Sequence, residues 1–66
     1  MSPQRFAVKL RRIRERKGMT QEALAAKSGV SRAYLSRLEM GRHDPPLSRL
    51  RKIAKALRVK VSELVD

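Results

Sequence analysis

The stretch from Thr20 to Gly41, TQEALAAKSGVSRAYLSRLEMG, constrains the fold more than any other part of the chain. Its residues fall where two short helices joined by one tight turn need them. Leu24 and Ala25 share one face of the first helix, and the pattern breaks at Ser28-Gly29. After Val30, Ser31 precedes a second helix with Leu35 and Leu38 on one face. Gly29 marks the turn, because a residue without Cβ takes positive φ at little steric cost and closes the first helix. Ser31 can then accept a bond from a free N–H of the second. Ala25 is small, as needed where two helix backbones cross closely.

Helical spacing continues on both sides of this stretch. From Gln4 to Lys17 the apolar Phe6, Leu10 and Ile13 recur at helical intervals, Ala7 lies beside them, and Gly18 is a stop signal. The opposite face carries Arg5, Lys9, Arg11, Arg12 and Arg16, either a solvated basic surface or one that meets phosphate. Thr20 is a natural N-cap for a helix over about Gln21 to Ser28, with Glu22 in the first turn, where the helix dipole favours an acid. The next helix runs from about Arg32 to Glu39 or Met40. Gly41 ends it, and His43-Asp44-Pro45-Pro46 forces an extended connection. Leu47, Leu50, Ile53, Ala54 and Leu57 then mark the apolar stripe of a fourth helix, whose outer face holds Arg49, Arg51, Lys52 and Lys55. Val59, Val61, Leu64 and Val65 close the chain, with Ser62 as the expected cap of a last short helix. No strand alternation or repeat interrupts this pattern. The expected fold is all-α, a compact five-helix domain over residues 1–66 with the two-helix motif at about 20–40.

Composition then bounds the function. A chain of 66 residues buries only about 60% of the surface its unfolded form exposes. No deep cavity and no small-molecule ligand are expected. With no cysteine, neither a disulfide nor a thiolate metal site can support the core, so the fold must rest on helix packing. Seventeen Lys and Arg against six acids give a net charge of +11, which calls for a polyanionic partner: nucleic acid or an anionic membrane surface. The apolar runs fall far below the roughly 18 residues of a spanning helix, and residues 1–8 lack the apolar core of a signal peptide. A soluble, unprocessed, cytoplasmic protein is expected. The acids are scattered, there is one histidine, and no glycine-rich loop cradles phosphate, so no enzyme, cofactor or metal site is expected.

At 100° per residue, Leu35 and Leu38 set the buried direction of the third helix. Ala33, Arg37 and Met40 then lie nearly opposite, Ser36 to one side and Tyr34 on the other flank. Arg37 is the sharpest of these, because a guanidinium can bond both O6 and N7 of guanine in the major groove. The alternative is a solvated arginine. Arg32, in the first turn, suits either a base or a phosphate, and Ala33 either touches a thymine methyl or simply permits close approach. Tyr34 and Phe6 are the only aromatic residues, which argues against platforms that stack several bases. Phe6 belongs to the core, and Tyr34 is expected to offer its hydroxyl to phosphate or water. Glu39 lies about 55° from the buried centre on the same wheel. It needs a partner in so basic a chain, and Arg14, flanking the stripe of the first helix, is expected to form a partly buried ion pair with it.

From Phe6 to about Leu64 the chain resembles the lambda-repressor and Cro-like helix-turn-helix family. The carriers are MTQEALAAKSGVSRAYLSRLEMGR at Met19 to Arg42, the proline after that loop, and KIAKAL at Lys52 to Leu57. The resemblance implies a sequence-specific regulator of transcription, most often a repressor, that binds double-stranded DNA with its third helix in the major groove. A controller of a restriction-modification operon or an antitoxin-like autoregulator fits the same pattern. It implies base contacts from Arg32, Ala33 and Arg37, and phosphate contacts from Gln21, Arg42 and His43; by the helix wheel alone, Ser36 is expected to join the base contacts and Tyr34 the phosphate contacts. It also supports the Arg14–Glu39 pair. Members of the family bind as two-fold dimers, and Pro45, Val59, Val61 and Leu64 are the apolar groups for such an interface, unless they only finish the protomer core. Three positions depart from the pattern: Ser28 stands where an apolar residue is common, Pro46 where a capping Ser or Thr is common, and Arg58 where glycine is usual. From a different class, charge and helical moments alone fit a cationic amphipathic module at membranes or bridging proteins, against which the helix breaks and caps argue for a globule.

Overall fold

The first three helices in the computed structural model, which describes residues 2–65, each begin on a hydroxyl side chain that caps a free backbone N–H. Helix α1 (Pro3–Arg16) starts on Ser2, whose hydroxyl accepts from the Arg5 N–H at 3.1 Å, with Pro3 in the first helical position. Helix α2 (Gln21–Ser28) is capped by Thr20 through the Ala23 N–H and closed by Gly29 at φ +78°. Helix α3 (Arg32–Glu39) is capped by Ser31, whose hydroxyl accepts from the Tyr34 N–H at 3.0 Å. The turn between α2 and α3 is therefore built as the sequence predicts. Ser28 tightens it further: its buried hydroxyl donates to the Leu24 carbonyl at 2.7 Å and faces the Val30 N–H at 3.4 Å. A polar residue at this site is thus satisfied, which explains how it replaces an apolar one.

Helix α4 (Leu47–Leu57) starts at Pro46, which offers no side-chain cap. Its carbonyl accepts the Arg49 and Leu50 N–H groups instead. Arg58 closes α4 in the left-handed region at φ +57°, a conformation that glycine adopts without strain. Two expectations at the C-terminal half change. Leu47 is 54% exposed and does not join the buried stripe, because it lies in the first turn, ahead of the point where α4 meets its neighbours. Ser62 does not cap α5 (Val61–Leu64) but lies inside it; the cap position is Lys60, whose N–H donates to the Glu63 carboxylate at 2.7 Å.

Phe6, Leu10, Leu24, Leu35, Leu38, Ile53, Leu57 and Leu64 form the centre of one core, each fully buried. Helix α3 packs on α1 and α2, α4 on α2, and α5 on α4 and α1. Burial of roughly 1.5–3 kcal/mol per large side chain holds this arrangement together in a chain without cysteine. No helix of the described residues is long and apolar enough to cross a membrane. Helix α3 is thereby held by its inner face, and its outer face is left to solvent.

Candidate nucleic-acid interface

The seat of α3 is an ion pair. Arg14 of α1 donates from Nε and Nη2 to the two carboxylate oxygens of Glu39, at 2.7 and 2.9 Å, and from Nη1 to the Met19 carbonyl at 2.7 Å. Both side chains are nearly closed to solvent, 10% and 6% exposed. The hydrogen bond to Glu39 raises Arg14 above its already high ordinary pKa, against the opposing effect of burial. Bidentate geometry makes this a strong, directional contact that fixes the end of α3 against α1. Gln21 joins it: its side-chain nitrogen donates to Glu39 at 3.2 Å. Three helices thus meet at one carboxylate. The Gln21 amide keeps a second N–H for an outside acceptor.

The outward face of α3 carries Arg32, Ala33 and Arg37, all exposed, with Ser36 half-buried at its side. Arg32 is not free. Its Nε donates to Glu22 of α2 at 3.0 Å, and both side chains of this pair are open to solvent. The Glu22 carboxyl lies below the usual carboxylate range, first through its own backbone N–H and then through the bond from Arg32. Arg42 and His43 are exposed in the loop after α3. That loop is held close to α1 at Gly41, where an added Cβ would stand 3.4 Å from the Gln4 Cα and where φ is +77°.

Tyr34 lies half-buried on the flank of α3 that faces α4. The guanidinium of Arg49 sits over its ring at 4.6 Å, and that of Arg37 is 6.0 Å from the ring centre. Together with Ser31 and Lys52 these residues line a shallow bay beside the outer face of α3, and no carboxylate is among its lining residues. Sequence reasoning placed Arg49 and Lys52 on the solvated side of α4 and missed this convergence. The signal was their helical spacing of three, which puts both on one side of α4, but nothing in the chain told that this side borders Tyr34.

The four apolar residues assigned to a dimer contact divide. Leu64 is fully buried and Pro45 is buried, so both side chains are spent within the protomer, while Val59 and Val61 are half-buried at its surface. A helix-turn-helix family profile matches residues 10–64. The chain belongs to the helix-turn-helix family. It is 50% identical over 54 residues to an uncharacterised HTH-type transcriptional regulator, y4dJ, of Sinorhizobium fredii, covering 82% of this chain and 70% of that one. Two further curated relatives are longer, and the chain spans 38% and 40% of their length. Among solved structures, the restriction-modification controller protein C.AhdI of Aeromonas hydrophila superposes with a TM-score of 0.90 at 37% identity, over 94% of both chains. The structure of C.Esp1396I bound to a 25 base pair operator site matches with a TM-score of 0.82 at 36% identity, over 88% of this chain and 76% of that one. The all-α fold and the motif at α2 and α3 are those of helix-turn-helix regulators.

Proposed function

We propose that this helix-turn-helix chain is a cytoplasmic, sequence-specific, double-stranded DNA-binding regulator of transcription that acts without chemistry, most simply as a repressor by occupancy. The observation that carries the reading is the outer face of α3, where Arg32, Ala33 and Arg37 stand clear of the core between flanking cations. An α-helix of this width enters the major groove, and Arg37 meets guanine O6 and N7 there. Gln21, Tyr34, Arg42 and His43 hold backbone phosphates, joined by Arg49 and Lys52 of the bay. These contacts set affinity and register and make binding salt-dependent, while α3 sets sequence.

The chain binds as a homodimer on a two-fold site, with Val59 and Val61 at the contact between protomers. A second reading, control of a restriction-modification operon, is favoured by the likeness to C.AhdI over 94% of both chains. Selection of bound sites from random duplex DNA tests the proposal. The expected result is a palindrome whose half-sites lie about one helical turn apart. Enrichment of no sequence over the starting pool, or equal affinity for anionic vesicles in the presence of DNA, would contradict it.

A further inference from the structure

Glu22 is an anomaly on this surface. It is an exposed carboxylate beside the outer face of α3 in a chain of net charge +11, where it would stand near DNA phosphates and repel them. Its bond to Arg32 does not justify it by stability, since exposed Arg–Glu pairs contribute little to the folded state. A helix N-terminus favours an acid but does not require one whose carboxylate reaches across to the next helix.

We propose that Glu22 is a positioning residue that commits Arg32 to a base edge rather than to phosphate, and so helps set sequence preference. The inference rests on the reading of α3 as the groove-facing helix. Arginine has donors at Nε, Nη1 and Nη2, and Nε is taken by Glu22 at 3.0 Å. What remains is the pair of terminal nitrogens, which is the fork that matches guanine O6 and N7 end-on. The bond also removes rotamer freedom from Arg32 before DNA arrives, which lowers the ordering cost of the specific complex. Finally, the carboxylate competes with phosphate for the same guanidinium. A non-specific complex, in which Arg32 swings to the backbone, must break the Glu22 bond and leave a carboxylate among phosphates. The specific complex keeps it. The low pKa of Glu22 means that the competing charge is present throughout the neutral range.

The test compares wild type, Arg32→Ala, Glu22→Ala, Glu22→Gln and the Glu22→Ala/Arg32→Ala double variant. Each is bound to a random-sequence duplex pool and read by sequencing, and each is titrated with one mixed-sequence duplex lacking any enriched site. Arg32→Ala is expected to relax preference at one base pair per half-site by about tenfold or more. Glu22→Ala should relax that same pair by about two- to fivefold, and binding to the mixed-sequence duplex should rise rather than fall. Glu22→Gln, which keeps an acceptor oxygen but no charge, should retain more of the preference than Glu22→Ala. The double variant should match Arg32→Ala in its base profile. If Arg32→Ala relaxes one pair while Glu22→Ala leaves the profile unchanged, the positioning role is overturned and the reading of Arg32 stands. A uniform loss on all sequences for Glu22→Ala also overturns it. If Arg32→Ala relaxes no pair, the base-contact reading of Arg32 fails, and the inference with it.

Discussion

Helix α3 is tied to its neighbours by two Arg–Glu pairs that share chemistry and differ in everything else. Arg14–Glu39 lies beneath the helix, 10% and 6% exposed, with both carboxylate oxygens engaged and Gln21 added as a third donor. Arg32–Glu22 lies at its start, 57% and 68% exposed, with a single bond. Desolvation decides what each can do. The inner pair cannot lose a partner without stranding a charge in the core, whereas water replaces either partner of the outer pair at once. The lower pair therefore sets where α3 sits, and the upper one can only affect how α3 meets a ligand.

The widest separation between the two pairs is in stability. Glu39→Ala should cost about 3–5 kcal/mol by leaving Arg14 uncompensated. That is a large part of the roughly 3–10 kcal/mol a domain of this length has, so a thermal or urea melt should show partial or complete unfolding. Glu22→Ala should leave the melting temperature nearly unchanged. Similar melts for the two variants would break the comparison. An Arg14→Met/Glu39→Leu double variant should recover most of the stability lost in Glu39→Ala, because apolar groups of similar size need no desolvation of charge.

On the outer side, Arg37→Ala should remove about 1–3 kcal/mol of discrimination at one base pair per half-site and leave the melt as it is, measured by competition among single-substituted sites. Arg42→Ala should instead weaken binding to all sequences alike and lower the slope of log affinity against log salt by about one. Arg58→Gly should have the smallest effect. A Cβ in the left-handed region costs about 1–2 kcal/mol, and the freer unfolded chain of glycine offsets about 0.4–1 of it. The net gain, about 0.5–1 kcal/mol, would raise the melting temperature by a few degrees without changing base preference. A change of preference in Arg58→Gly would show that stability and reading are not separable in this fold.

The two regions were also unequally legible. The Arg14–Glu39 pair followed from helix wheels, because each residue flanks its own apolar stripe and the stripes must face one another. The turn followed from Thr20, Gly29 and Ser31, whose chemistry is local. The bond from Gln21 to Glu39, the bond from Arg32 to Glu22 and the stack of Arg49 on Tyr34 were not legible. Each depends on where one helix crosses another, which a periodicity within one helix does not contain. The same limit explains Leu47 and Leu64: both are apolar at helical spacing, yet the first is exposed and the second fully buried. Burial there is decided by whether another helix covers the position.

The central claim is that α3 reads sequence through its outer face while the surrounding cations supply affinity. The most direct measurement is binding of wild type, Arg37→Ala and Arg42→Ala to a selected site, to its single-base variants and to a mixed-sequence duplex over a range of salt. The account predicts that Arg37→Ala flattens the preference at one base pair and keeps the salt slope, while Arg42→Ala keeps the preference and lowers the slope. Equal loss on every duplex for both variants would contradict it.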